Sequence, residues 1–211
     1  SWIEISWLAE SPRIVQIPPP KRYGEKSTLA KQLKHLLVNL ALVKIEQTGF
    51  ERIVKFKFSS RPGKEIEKEV VVELMGRHSN ILLLDRTSKV ITLGKQIKEN
   101  HSRLRPISTG DIYTTPPALK GFVPKLSESF QIWKENICLV PSTFKNCLKD
   151  TYQGISPALT LQIASNNYNE AINIINQSVT SIELKTWESI YKRWKKWLVD
   201  IENNNFTINF N

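Results

Sequence analysis

The chain has 211 residues, 40% apolar and 24% charged, with 30 Lys+Arg against 20 Asp+Glu and a net charge of +10. That length buries a sizeable core and that composition excludes global disorder. The cation excess points to polyanionic partners, because each neutralised phosphate releases condensed counterions.

Trp2-Ile3-Glu4-Ile5 and Arg13-Ile14-Val15-Gln16-Ile17 bracket a Ser11-Pro12 turn and predict a hairpin, which Pro18-Pro19-Pro20 ends because proline cannot donate to a ladder. From Ser27 to Val43 the pattern predicts a helix. Leu29, Leu33, Leu36, Leu37 and Leu40 share one face, with Lys31, Lys34 and His35 on or beside the other and Ser27 or Thr28 as N-cap. Arg52–Phe58 then alternates with a period of two, Val54, Phe56 and Phe58 pointing one way and Lys55 and Lys57 outwards.

Arg61-Pro62-Gly63-Lys64 turns the chain, and Glu65, Glu67 and Glu69 read as the solvent face of a strand entrance. Between Glu73 and Asp85, two strand-length apolar runs flank Gly76-Arg77-His78-Ser79-Asn80, which predicts a β-hairpin with a cationic tip. A turn at Arg86–Lys89 and a strand Val90–Leu93 complete an antiparallel meander with an aliphatic core face. Lys95–Leu126 reads as a loop rich in proline and basic residues, and a connection this long marks function or a covering role. Arg86 to Lys125 holds eight basic residues and two acidic ones, which predicts a basic patch.

From Leu126 the chain reads helical, around Phe130–Asn136, Ser142–Lys149, Ser156–Ala164, Glu170–Gln177 and Ile182–Ile201, so a domain boundary is placed near Leu126. Cys138 and Cys147, nine residues apart in a helical stretch, are too distant to bridge within one helix and are expected to be buried. Gly154-Ile155-Ser156-Pro157 has the physics of a helix-hairpin-helix turn, whose backbone N–H groups can hold a phosphate, or of an ordinary helix–helix loop. Trp187, Trp194 and Trp197 recur at helical spacing among Lys192, Arg193, Lys195 and Lys196. A core-docking face is favoured over base stacking for these tryptophans, with the lysines left open.

Arg52 beside Glu51 reads either as a solvated ion pair with Glu51 or Glu46, or as a polar pair offered to a ligand at a sheet rim. His35, His78 and His101 lack metal-ligand spacing, and neither a nucleotide loop nor a nucleophile constellation is present, so no metal, cofactor or catalytic residue is expected. No apolar run is long enough to span a bilayer, and the expected location is cytoplasmic. Ser1 at the start and the strand-like Phe206–Phe210 near the end predict a fragment of a longer chain.

The string Glu73-Leu74-Met75-Gly76-Arg77-His78-Ser79-Asn80 resembles the signature of the NFACT amino-terminal domain, historically the fibronectin-binding protein A family. Collinear matches support the resemblance: Ser6-Trp7 through Arg13-Ile14, Lys34, Ile45 through Ile53, Arg105, Gly110, Tyr113, Pro116-Pro117 and Gly154–Pro157. The resemblance implies an α+β chain: an antiparallel β-rich domain over 1–125, glycosylase N-domain-like and lacking its first strand, then a helical helix-hairpin-helix domain over 126–205. Residues 206–211 would begin a strand returning to the first domain. It implies a ribosome-associated quality-control factor that binds obstructed large ribosomal subunits and recruits tRNA for alanine tailing of stalled chains.

The resemblance implies tRNA engagement by Glu51 and Arg52. Taken with the charge pattern, the expected RNA contacts are Lys34, Glu51, Arg52, Arg77, His78, Arg103 and Arg105, with Gly154, Ile155 and Ser156 cradling phosphate. The fragment would act as a binding module without enzymatic activity. The chain departs from the family pattern where Glu51 replaces a common aspartate and Asn39-Leu40 replaces a glycine pair. Two rival readings are an adhesin binding host fibronectin, as the historical name suggests, and a relative of DNA-lesion glycosylases.

Overall fold

The computed structural model describes residues 2–21, 27–97 and 105–205. The chain divides into two compact units, Ser1–Ala118 and Leu119–Asn211, and has an α+β fold.

In the first unit, β1 (Trp2–Ser6) and β2 (Arg13–Ile17) form the expected antiparallel hairpin, Trp2 opposite Ile17 and Ser6 opposite Arg13. Helix α1 (Thr28–Leu37) follows, its Ser27 hydroxyl accepting the Ala30 N–H. Five strands then meander in sequence order: β3 (Ala41–Gln47), β4 (Ile53–Ser59), β5 (Lys68–Glu73), β6 (Asn80–Asp85) and β7 (Val90–Leu93). The predicted helix to Val43 is corrected here. It ends at Leu37, the Leu40 N–H returns to the Leu37 carbonyl, and Ala41 enters an edge strand that pairs only with β4.

Both sheet faces are covered, which is why Val70–Val72 and Ile81–Leu84 are continuous apolar runs instead of alternating ones. Phe56, Val70, Val72, Ile81 and Leu83 pack under the hairpin residues Ile5, Trp7 and Ile14 and the leucines of α1. Val71, Leu82, Leu84 and Val90 pack under Ile97, Ile107 and Tyr113. The described part of the proline-rich stretch is therefore a lid that supplies core residues. Glu69 also departs from expectation: its carboxylate is largely buried and meets Lys55 at 3.2 Å.

The second unit holds α2 (Phe130–Cys138), α3 (Phe144–Thr151), α4 (Pro157–Ala164), α5 (Tyr168–Asn176) and α6 (Leu184–Glu202). Serine and asparagine caps begin three of them, Ser129, Ser156 and Asn167 each accepting a backbone N–H three residues on. The unit begins seven residues before Leu126, because Phe122 pairs with the end of α3: its N–H donates to the Thr151 carbonyl and its own carbonyl accepts from Gln153. Gly121 permits the approach, since a Cβ there would lie 2.7 Å from the Thr151 oxygen. The core is aromatic. Trp133 meets Trp187 and Trp194 at centroid distances of 5.6 and 5.8 Å, and Tyr152 meets Trp194 at 4.8 Å. Cys138 and Cys147 lie on different helices, α2 and α3, with Pro141 in the connection between them. Cys147 is buried and Cys138 is half-buried.

Candidate nucleic-acid interface

In an antiparallel meander alternate connections emerge at the same end, so the β3–β4 connection, the β5–β6 connection and the chain leaving β7 share one rim. Each is fixed by hydrogen bonds, some local and some to a neighbouring strand end. In the first, the Glu51 N–H donates to the Thr48 carbonyl and the Gln47 amide to the Glu51 carbonyl at 2.8 Å. Arg52 is exposed, and its carbonyl accepts the Leu74 N–H at 2.8 Å, which joins the first connection to the second.

The second connection contains a single 3-10 turn, Gly76–His78. Gly76 sits at φ +57°, where a side chain would be strained. The Met75 N–H donates to the Ser79 hydroxyl at 2.8 Å and closes the loop. Arg77 and His78 are exposed at its tip, the Arg77 Nε–H donating to His78 Nε2 at 3.0 Å. After β7, exposed Lys95 is held through its backbone: its N–H donates to Asn80 Oδ1 at 2.9 Å and its carbonyl accepts from Asn80 Nδ2 at 2.8 Å.

A buried polar cluster lies behind the rim. Glu73, 1% exposed, receives Arg105 Nη1 at 2.9 Å and Nη2 at 2.7 Å on its two oxygens. The Tyr113 hydroxyl also donates to it at 2.9 Å. Arg105 donates further to the Thr114 carbonyl and lies 5.2 Å from the Tyr113 ring centroid. Burial, then the Glu73 charge, pushes the Tyr113 phenol far above its ordinary range, so it stays a donor to Glu73.

The family model for NFACT N-terminal and middle domains matches residues 1–211. This chain belongs to that family. It is 33% identical over 117 residues to the Rqc2 homolog RqcH of Bacillus subtilis (strain 168), covering 54% of this chain and 20% of that protein. It is 29% identical over 137 residues to the Rqc2 homolog RqcH of Streptococcus pneumoniae serotype 2 (strain D39 / NCTC 7466), covering 61% of this chain and 25% of that protein. The matched part thus spans a quarter or less of these relatives.

Among solved structures, the fibrinogen binding protein from Staphylococcus aureus superposes with a TM-score of 0.66 at 18% identity, over 94% of this chain and 65% of that one. The N-terminal part of the fibronectin/fibrinogen-binding protein from Streptococcus suis superposes with a TM-score of 0.58 at 20% identity, over 91% and 67%. At those identities the shared property is the fold.

The NFACT rim gathers some of the residues expected to act together and not others. Arg52, Arg77 and His78 share it as exposed side chains, with Glu51 half-buried beside them. Arg105 is at the same end but is corrected as an open cation: its side chain is 12% exposed and its charge is met by Glu73. Lys34 is exposed in the last turn of α1, which runs into Ala41 at the far end of the sheet, opposite Ser59. Arg103 and residues 206–211 lie outside the described residues.

In the second unit, Gly154 takes φ +76° and Ser156 caps α4 by accepting the Leu159 N–H at 3.1 Å, with Ile155 half-buried between them. Three rim residues were missed as site residues: Lys95, Glu73 and Asn80. For Glu73 and Asn80 the sequence signal was polarity at the mouths of the apolar runs Val70–Val72 and Ile81–Leu84; Lys95 stands just past the end of β7, among the basic residues of the proline-rich stretch. Trp187 and Trp194 are 1% and 0% exposed, which places them in the core.

Proposed function

We propose that this NFACT chain is the RNA-contacting part of a ribosome-associated quality-control factor. In this reading Arg52, Arg77 and Lys95 meet phosphates of tRNA or of the large-subunit rRNA, His78 and Glu51 position sugar or base edges, and the turn at Gly154–Ser156 offers backbone donors. The observation that carries it is the shared rim. Three separate connections deliver exposed cations to one end of the sheet, while the buried acid there is already neutralised by Arg105. The net charge of +10 and relatives named as Rqc2 homologues support the same reading.

Phosphate contacts fix register and affinity without choosing sequence. In this reading the choice of a particular tRNA and any tailing of stalled chains do not follow from the phosphate contacts alone. In this reading the chain acts as a binding module, without catalysis, in the cytoplasm, as the likeness to Rqc2 homologues suggests. Among the described residues no helix is long and apolar enough to cross a membrane.

The test is tRNA affinity across a salt series. Arg52→Ala is expected to weaken binding and to lower the slope of log K against log salt by about 1, with folding intact. An unchanged slope and affinity would sink the reading. A second reading, capture of a host matrix protein, is favoured by the names of the two solved relatives. Recovery of fibronectin or fibrinogen in place of ribosomal RNA in a pull-down would select it.

A further inference from the structure

The two residues at the foot of the cationic loop are directly opposed across β5 and β6, and each is 1% exposed. Both reach out of the hairpin that carries them. Glu73 spends its carboxylate on Arg105 and Tyr113, from the lid. Asn80 spends both ends of its amide on the backbone of Lys95. The six residues between them hold Arg77 and His78. The loop is therefore stitched at its base to two points on the chain that follows β7.

We propose that Glu73 and Asn80 are positioning residues for the RNA-contacting rim, holding the Gly76–His78 turn so that Arg77 and Lys95 present a fixed cation spacing to phosphate. This rests on the RNA-binding reading above. It carries a sign that a simple charge effect lacks. Glu73 is an anion beside a surface that meets anions. Acting through charge alone, it opposes RNA, and neutralising it strengthens binding and releases Arg105 for a further phosphate contact. Acting by holding the loop, its neutralisation weakens binding even though the net charge rises.

The experiment measures binding of the 211-residue chain to labelled deacylated tRNA for Glu73→Gln, Asn80→Ser and Arg77→Ala, and for Arg77→Ala combined with Glu73→Gln. Amide exchange across Met75–Ser79 is followed in parallel. Glu73→Gln is expected to weaken binding about three- to tenfold, with Arg77→Ala adding little on top, because coupled neighbours do not contribute additively. Exchange within the turn should accelerate. Asn80→Ser leaves the net charge untouched and should repeat the pattern; it becomes the deciding variant if Glu73→Gln does not fold. Tighter or unchanged binding by the deciding variant, with Arg77→Ala weakening binding by itself, overturns the positioning role and leaves the RNA reading standing. Absence of tRNA binding by the unaltered chain removes both.

Discussion

Helix α6 and the rim of the five-stranded sheet carry similar cations and put them to opposite uses. On α6, Arg193 donates to the Ile163 and Ala164 carbonyls at the end of α4, and Lys195 donates to the Leu126 carbonyl. Lys196 meets Asp200 at 2.6 Å. Burial lowers the Arg193 pKa from its ordinary value, the mark of a charge drawn into the structure. At the rim, Arg52, Arg77 and Lys95 are exposed and form no ion pair among the described residues. Cation density along a sequence therefore does not measure the charge offered to solvent. Carbonyls at helix ends and buried carboxylates consume it first.

Arg105 blurs the comparison, since it sits at the rim but is used like the cations of α6. Removing it is the most severe test. Arg105→Ala leaves Glu73 buried without a counter-charge, and breaking such a pair costs about 3–5 kcal/mol. Urea denaturation of the first unit should show that loss. A change below about 1 kcal/mol would mean that water already screens the pair and that Arg105 belongs with the open cations. Arg193→Ala comes next. It strips two carbonyls at the end of α4 of their donor, which costs about 1–3 kcal/mol, read from tryptophan fluorescence of the second unit. An effect confined to RNA affinity would instead move Arg193 to the solvent-facing class.

Most element types were legible because their periods are clean. Val54, Phe56 and Phe58 share one face as the alternation requires, and all five later helices stand near their predicted positions. Strand β3 was not legible. Its Leu42 and Ile45 are exposed on an edge strand, so its pattern offered no polar face and merged with the leucines of α1. The rim was half legible: a glycine-containing turn with a cationic tip is a local signal, and Arg77 and His78 are where that signal put them. The use of Arg105 was not, because its partner Glu73 lies 32 residues away and no spacing rule encodes a pair formed across a fold. Glu73 itself left a trace, as the acid that closes the valine run of β5.

Glu46 marks an intermediate use of cations and gives the smallest predicted effect. Lys44 and Lys57 face each other directly across β3 and β4, a like-charge pairing that destabilises a sheet. The Glu46 carboxylate reaches both, at 2.5 and 2.6 Å. Hydrogen bonds from Lys44 first and then Lys57 draw its pKa from an ordinary 4.5 down to about 2. Because the folded value lies below the unfolded one, the carboxylate stabilises the fold above pH 4.5, and that contribution fades as pH falls towards about 2. Glu46→Gln should therefore differ most from the unaltered chain near neutrality and converge with it in acid. Solvent reaches all three side chains, so added salt should narrow the gap. A difference that holds constant through acid would assign the effect to packing of the side chain, and would place Lys44 and Lys57 among the cations that solvent alone satisfies.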